Sequence, residues 1–202
     1  KKKYPKIITL VLAKENQYSQ GKRIFSTMMP YTQEKYIAIC DGDDYWTDKF
    51  KLQYQVDFLE KNSEYVITFT NYITNEPNKF NPTFKTEYSK SDMLKATPIF
   101  TSSSCFKNCI VLPLEFYKTG IGDIFLWSLL GKYGKGKKLE NIQPSFYRIH
   151  ESSAWSSIGI NKQKNLLAKT FLSLFKYHLR VKTLHGFFSA YFLLKYIKIK
   201  IL

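Results

Sequence analysis

The segment from Tyr36 to Asp48 constrains the fold more than any other stretch of the chain. Ile37 to Cys40 is apolar and reads as a buried strand. It ends abruptly in Asp41, Asp43 and Asp44, with Gly42 between the first two. Carboxylates crowded at the end of a buried strand repel one another unless a cation lies among them. Hard oxygen ligands suit Mg²⁺ or Mn²⁺, and a glycine lets the backbone turn closely beneath such an ion. The alternative is a surface turn of solvated acids. The apolar strand before the run, and Tyr45 and Trp46 directly after it, weigh against that reading.

Around this segment, strand-like runs alternate with helical patterns. Ile7 to Leu12, Lys35 to Cys40, Tyr65 to Asn71, part of Ser102 to Leu112, and Pro144 to Ile149 are predicted strands. Lys22 to Tyr31, closed by Pro30, is a predicted helix. Thr47 is placed to cap a second helix over about Asp48 to Lys61, with Leu52, Val56 and Leu59 on one face. Ser91 to Ala96 reads as a short helix. Gly122 or Asp123 opens another through about Tyr133, closed by Gly134 and Gly136. Thr74 to Lys90 reads as loop. The alternation predicts an α/β domain over residues 1–158, followed by a basic, aromatic, helical extension over residues 159–202.

The 202 residues are 44% hydrophobic and 17% aromatic, which excludes global disorder. No apolar run reaches the roughly 18 residues of a membrane span. Cys40, Cys105 and Cys109 form no CxxC pair and read as reduced cytosolic thiols. The net charge of +15 is unevenly spread. Between Asn161 and Leu202 there are nine Lys or Arg and no acid, so the tail carries +9 and the body +6. The partner implied by charge is therefore a partner of the tail. Phe171, Leu174, Phe175, Leu179, Phe187, Phe188, Tyr191, Phe192, Leu194 and Ile197 interleave with the bases, which suits an amphipathic helix on an anionic membrane surface. The alternative is a helical subdomain that packs these residues on the body and keeps a solvated basic face. His178 and His185, within the basic tail, are expected to be solvated. Nucleic acid is not expected as a partner, because no RNA-module or helix-turn-helix signature is present.

The run from Tyr36 through Asp44-Tyr45-Trp46-Thr47-Asp48-Lys49-Phe50-Lys51-Leu52-Gln53, followed by Gln55-Val56-Asp57-Phe58-Leu59-Glu60, resembles the metal-binding segment of the family 2 glycosyltransferases with the GT-A fold. Glu15-Asn16 to Gly21 is similar to the segment that precedes the motif in that family, and the likeness runs on to Tyr147-Arg148-Ile149-His150. Gly-Asp-Asp also occurs in two-metal polymerases, in a hairpin between strands. The helix predicted after Thr47 counts against that.

The resemblance implies a partial GT-A, Rossmann-like domain with a mixed sheet. It implies inverting transfer from a nucleotide-sugar donor, expected to be a UDP-sugar, to a saccharide or lipid-linked acceptor, in the biosynthesis of a surface polysaccharide or glycan. The cofactor would be Mn²⁺ or Mg²⁺, with Asp43 the direct ligand. Asp41 would contact the ribose or the ion's water, and Asp44 would orient the donor; Trp46 would belong to the donor site. Asp123 would be the base that takes the proton from the acceptor hydroxyl, although this chain has Gly122 where the family often has a first acid. Its alternative is an ordinary helix cap. Trp127, one turn later, would line the acceptor site or pack in the core. His150 would be a third metal ligand or a phosphate contact, and Arg148 would pair with phosphate; a structural His with a surface Arg is the alternative. Ser103, within Thr101 to Ser104, would contact the acceptor, or the stretch is a strand-edge loop.

In the family's layout, Lys1 falls after the first nucleotide-binding βαβ unit. The expectation is thus an N-terminally truncated domain, weakly active or inactive alone, cytoplasmic and peripheral on the inner membrane face. The rival expectation is a catalytically incomplete, membrane-associated or nucleic-acid-binding remnant.

Overall fold

The computed structural model describes residues 3–4, 6–17, 20, 24–77, 83–153, 155–182 and 186–201. Two compact units divide the chain, Lys1–Gln33 and Glu34–Leu202. Helices from residues 159–202 therefore belong to the same unit as the sheet rather than standing apart from it.

In the first unit, the described residues form one short helix, α1 (Ile24–Met28), which tightens into a 3₁₀ turn over Met29–Tyr31 with Pro30 inside it. The predicted strand Ile7 to Leu12 does not form. Its first residues turn back on Tyr4, whose carbonyl accepts from Ile7 and Ile8, and Ile7 and Leu12 are exposed. A β-branched run becomes a strand only where a neighbouring strand satisfies its backbone, and among the described residues none is paired with it. Tyr18, Ser19 and Gly21, in the polar segment before α1, lie outside the described residues.

The second unit is built on a five-stranded mixed sheet. Its strands are β1 (Tyr36–Ala38), β2 (Tyr65–Phe69), β4 (Glu87–Tyr88), β5 (Cys105–Lys107) and β6 (Lys135–Lys138), in the order β1-β5-β2-β6-β4. β5 runs antiparallel to both neighbours, β2 and β6 are parallel, and β4 is antiparallel on the edge. β2 is the central strand, and all five of its residues are buried, as a strand covered on both faces requires. β3 (Tyr72–Thr74) and β7 (Ser145–Tyr147) form a separate parallel pair. Glu87–Tyr88 and Lys135–Lys138 read as loop and helix stop in the sequence. Both are strands because edge pairing of Tyr88 with Gly136 supplies bonds that short polar runs do not advertise.

Helices cover both faces. α2 (Lys51–Lys61) packs on the face that carries Cys105, next to Leu59 and Tyr65. α4 (Gly122–Leu130) covers the opposite face, where Trp127 meets Phe106 edge-on at 5.7 Å. Consecutive residues Cys105 and Phe106 thus serve opposite layers, as strand geometry dictates. Between β4 and β5, α3 (Lys90–Leu94) starts from a capping box in which Ser89 and Asp92 satisfy each other's backbone N–H. α5 (Ile160–Arg180) packs on α4, with Phe125 and Tyr177 5.7 Å apart, and α6 (Phe187–Ile201) returns antiparallel along α5. Where α5 passes residue 120, a Cβ would strike the Leu166 carbonyl, so only glycine permits the approach.

Three expectations change here. α2 buries Lys51, Gln55 and Leu59 and leaves Leu52 exposed, so its inner face is rotated from Leu52-Val56-Leu59. Thr47 does not cap it; its hydroxyl donates to the Pro144 carbonyl, while Asp48 accepts from the Phe50 amide. His178 is not solvated. It is fully buried, stacked on Phe192 at 5.4 Å and beside Ser128. His185 lies outside the described residues.

Candidate functional site

The acidic run leaves β1 at the sheet edge and turns at once, with the Asp44 amide donating to the Asp41 carbonyl at 3.0 Å. The chain then joins β7: Tyr45 and Phe146 exchange backbone hydrogen bonds, and their rings stack at 4.7 Å. A helix follows, as the polymerase alternative does not require. The acids are thus clamped between β1 and β7.

The clamp is completed by the 3₁₀ turn Thr101–Ser103, just before β5. The Ser102 hydroxyl donates to Asp44 Oδ2 at 2.6 Å and faces the Asp41 amide at 3.3 Å. The Ser102 carbonyl accepts from the Trp46 indole at 2.8 Å and from the Ser145 hydroxyl at 3.2 Å. The neighbouring Thr101 hydroxyl donates to Asp123 Oδ2 at 2.7 Å. Two adjacent side chains therefore hold the acidic run and the start of α4 together. The serine-rich stretch was expected on the acceptor side through Ser103. Ser103 is instead fully buried, with its hydroxyl turned back to the Phe100 carbonyl, and Ser104 does the same to Thr101. The hydroxyls of Thr101 and Ser102 thus reach the acids, while those of Ser103 and Ser104 close on carbonyls of the turn and its flank.

From the other side, Asp44 Oδ1 accepts the Arg148 amide at 3.0 Å, and the exposed Arg148 guanidinium acts on Asp44 through charge. Asp43 Oδ2 lies 2.9 Å from His150 Nε2, and His150 Nδ1 lies 2.9 Å from the Ser152 hydroxyl. Arg148 and His150 fall beyond the end of β7, so hydrogen bonds rather than strand alternation bring them here. Asn75 fixes the residue between them by a reciprocal pair of bonds with the Ile149 backbone.

Asp123 occupies the first turn of α4, and its Oδ1 accepts its neighbour's amide, Ile124, at 2.7 Å. Burial pushes its carboxyl up, against the hydrogen bonds from Thr101 and the backbone. Asp41 is pushed up to about 6, first by desolvation and then by the charges of Asp44, Asp43 and Asp123. In a chain with net charge +15, Asp41 thus lies within reach of the charges of three other carboxylates. Asp44 is raised by burial and held back by Ser102 and Arg148.

Trp127 is not part of this group. It is fully buried and its indole donates to the Ile99 carbonyl at 3.0 Å, so it is a core residue of α4 and not an acceptor wall. Trp46 is partly buried and supports the turn from below rather than facing outward alone. Its ring carries the Lys51 ammonium at 4.5 Å. Lys51 is almost completely buried, donates to Gln55 at 2.7 Å, and is pushed down to about 8 by burial. Gln55 in turn donates to the Ser103 and Thr68 carbonyls. Thr101, Ser102, Lys51 and Gln55 were not nominated from the sequence by these roles. A serine-threonine run 58 to 61 residues from the acidic run it contacts, and a lysine spaced like any solvated one, carry no local signal of their contacts.

Among the described residues, no three His, Cys, Asp or Glu side chains already converge as an all-protein metal cage. The donor chemistry nevertheless fits a hard divalent ion held jointly with a diphosphate, since Mg²⁺ in such sites takes only one or two carboxylates from the protein. Asp43 and Asp41 offer these, with the His150 imidazole against Asp43.

No family model matches the chain. Uncharacterized proteins of Mycobacterium bovis and of Mycobacterium tuberculosis are 33% identical to it over 67 residues. That match covers 33% of this chain, and the chain spans only 19% of the length of those relatives.

Proposed function

We propose that this chain is the metal-binding and acceptor-side part of an inverting, nucleotide-sugar-dependent glycosyltransferase with the GT-A fold. The observation that carries the reading is the joining of Asp123 to the acidic run through consecutive residues, Thr101 and Ser102. The mixed α/β sheet with helices on both faces is compatible with that fold. Asp43 and Asp41, with His150, would hold Mn²⁺ or Mg²⁺, which supplies positive charge where the leaving diphosphate develops negative charge. Asp44, fixed on both oxygens, orients the donor side. Arg148, exposed beside it, offers a guanidinium to phosphate. Asp123 takes the acceptor hydroxyl proton as that oxygen bonds to the anomeric carbon. The bond from that carbon to the diphosphate breaks on the opposite face, and the diphosphate leaves with the electron pair. A carboxyl raised by burial is a better base than a solvated one, provided it is ionised at the working pH.

The test is calorimetry of UDP with and without Mn²⁺, on the chain and on Asp43→Ala. Manganese-dependent binding that disappears in the variant is expected. Equal UDP binding by both proteins, or none by either with folded protein, would remove the reading and favour a non-catalytic remnant.

A further inference from the structure

Helix α6 is apolar on nearly every side. A helix of that kind needs either full burial or a second apolar medium. α5 takes only one side of it: Phe188 and Phe192 are buried, and Phe192 packs on Phe171 and His178. On the opposite side Phe187, Ala190, Leu194, Ile197 and Ile201 follow at intervals of three and four, which aligns them along one face. All five are exposed, Leu194 at 68% and Ile201 at 77%. Of the residues that the sequence puts forward for a lipid surface, Phe187, Leu194 and Ile197 lie on this stripe, whereas Phe171, Leu174, Phe188 and Phe192 are consumed by packing.

The surroundings of this stripe are cationic. Lys198 lies at its edge, Lys195 and Lys200 on its two shoulders, and the Lys95 ammonium stands 5.9 Å from the Phe187 ring. Neither α6 nor α5 contains an acid. A second copy of α6 laid on the stripe would set lysine against lysine, whereas an anionic surface would meet complementary charge. At 15 residues the helix is about 22 Å long, and no helix of the described residues is long and apolar enough to cross a membrane. It is suited to lying in the plane of the interface, with apolar side chains among acyl chains and lysines reaching to the headgroups.

We infer that the outer stripe of α6, Phe187-Ala190-Leu194-Ile197-Ile201 with its flanking lysines, docks on an anionic lipid surface. The inference does not depend on the sugar-transfer reading, since it uses none of the carboxylates of that site.

The experiment is co-sedimentation of the whole chain with vesicles of phosphatidylcholine alone and of phosphatidylcholine mixed equally with phosphatidylglycerol, with light scattering of the protein alone. Binding to the mixed vesicles, weakened by salt, is expected. The Leu194→Ser/Ile197→Ser double variant should bind at least about tenfold more weakly, and Lys198→Gln roughly fivefold more weakly. Both sites are exposed, so circular dichroism should not change. No binding to the mixed vesicles, or binding indifferent to the double substitution, would overturn the inference. So would a dimer of the free protein that the double substitution dissolves, because a second copy would then be the occupant of the stripe.

Discussion

Acidification should destabilise the helical layer through His178. The Ser128 hydroxyl has one proton and donates it to the Leu94 carbonyl at 2.8 Å. Toward His178 it can only accept, so Nε2 carries the imidazole proton in the 3.1 Å contact. Nδ1 is then the bare nitrogen, and it is buried with no hydrogen-bond partner among the described residues. Protonating it would place a charge between Phe188 and Phe192 with no acceptor in front of it. Burial, with the Lys132 charge adding to it, accordingly pushes His178 down to about 4 from an ordinary 6.5. The unfolded chain binds this proton below 6.5 and the folded chain does not. Stability is therefore full above about pH 6.5 and falls as pH drops toward 4, by about 3 kcal/mol in all and about 2 kcal/mol at pH 5. Urea denaturation of the wild type and of His178→Leu, at pH 7.5 and 5.0, isolates the effect as the difference between the two proteins. Leucine leaves the Ser128–Leu94 bond in place, so the variant should lose that much less stability on acidification. Parallel losses in both proteins would refute the neutral, orphaned imidazole.

Metal binding should show its own pH dependence: because Asp41 is held at about 6, Mn²⁺ affinity measured by calorimetry should be flat above about pH 7 and fall up to tenfold per pH unit below 6. A pH-independent affinity would exclude Asp41 from the ion's surroundings. Ser102→Ala removes a hydrogen bond to a carboxylate, worth about 1.5–3 kcal/mol. Urea denaturation should show a loss in that range, and UDP–Mn²⁺ affinity should fall about tenfold or more. Gly120→Ala should cost about 3 kcal/mol by urea denaturation, because the new Cβ meets backbone of α5 rather than a mobile side chain.

The elements legible in the sequence were those whose pattern coincides with their burial. β2 is apolar throughout and lies at the sheet centre, and α4 is an unbroken apolar helix between two layers. Elements defined by a distant partner were not legible. Gly136 reads as a helix stop and is a strand residue only because Tyr88 and Ile67 flank it. The inner face of α2 was misread because Lys51 and Gln55 are polar; what buries them is the Trp46 ring and the free carbonyls of Thr68 and Ser103, none of them local to the helix face. At the site, the acids announced themselves by crowding. The hydroxyls that hold them did not, since Thr101 and Ser103 differ in role only by where a tight turn aims them. Trp127 shares a helix face with Asp123 by spacing, yet the carbonyl of Ile99 and the Phe106 ring draw it inward.

The 101–103 turn has a mechanical consequence. One peptide bond separates the hydroxyl that grips Asp44 from the hydroxyl that grips Asp123. A displacement of the acidic run is therefore passed toward the start of α4 through adjacent residues. The positions of Asp44 and Asp123 are thus coupled, so a substitution that moves one carboxylate should also move the other. Lengthening the turn by a single residue would be the smallest change that gives each carboxylate its own freedom.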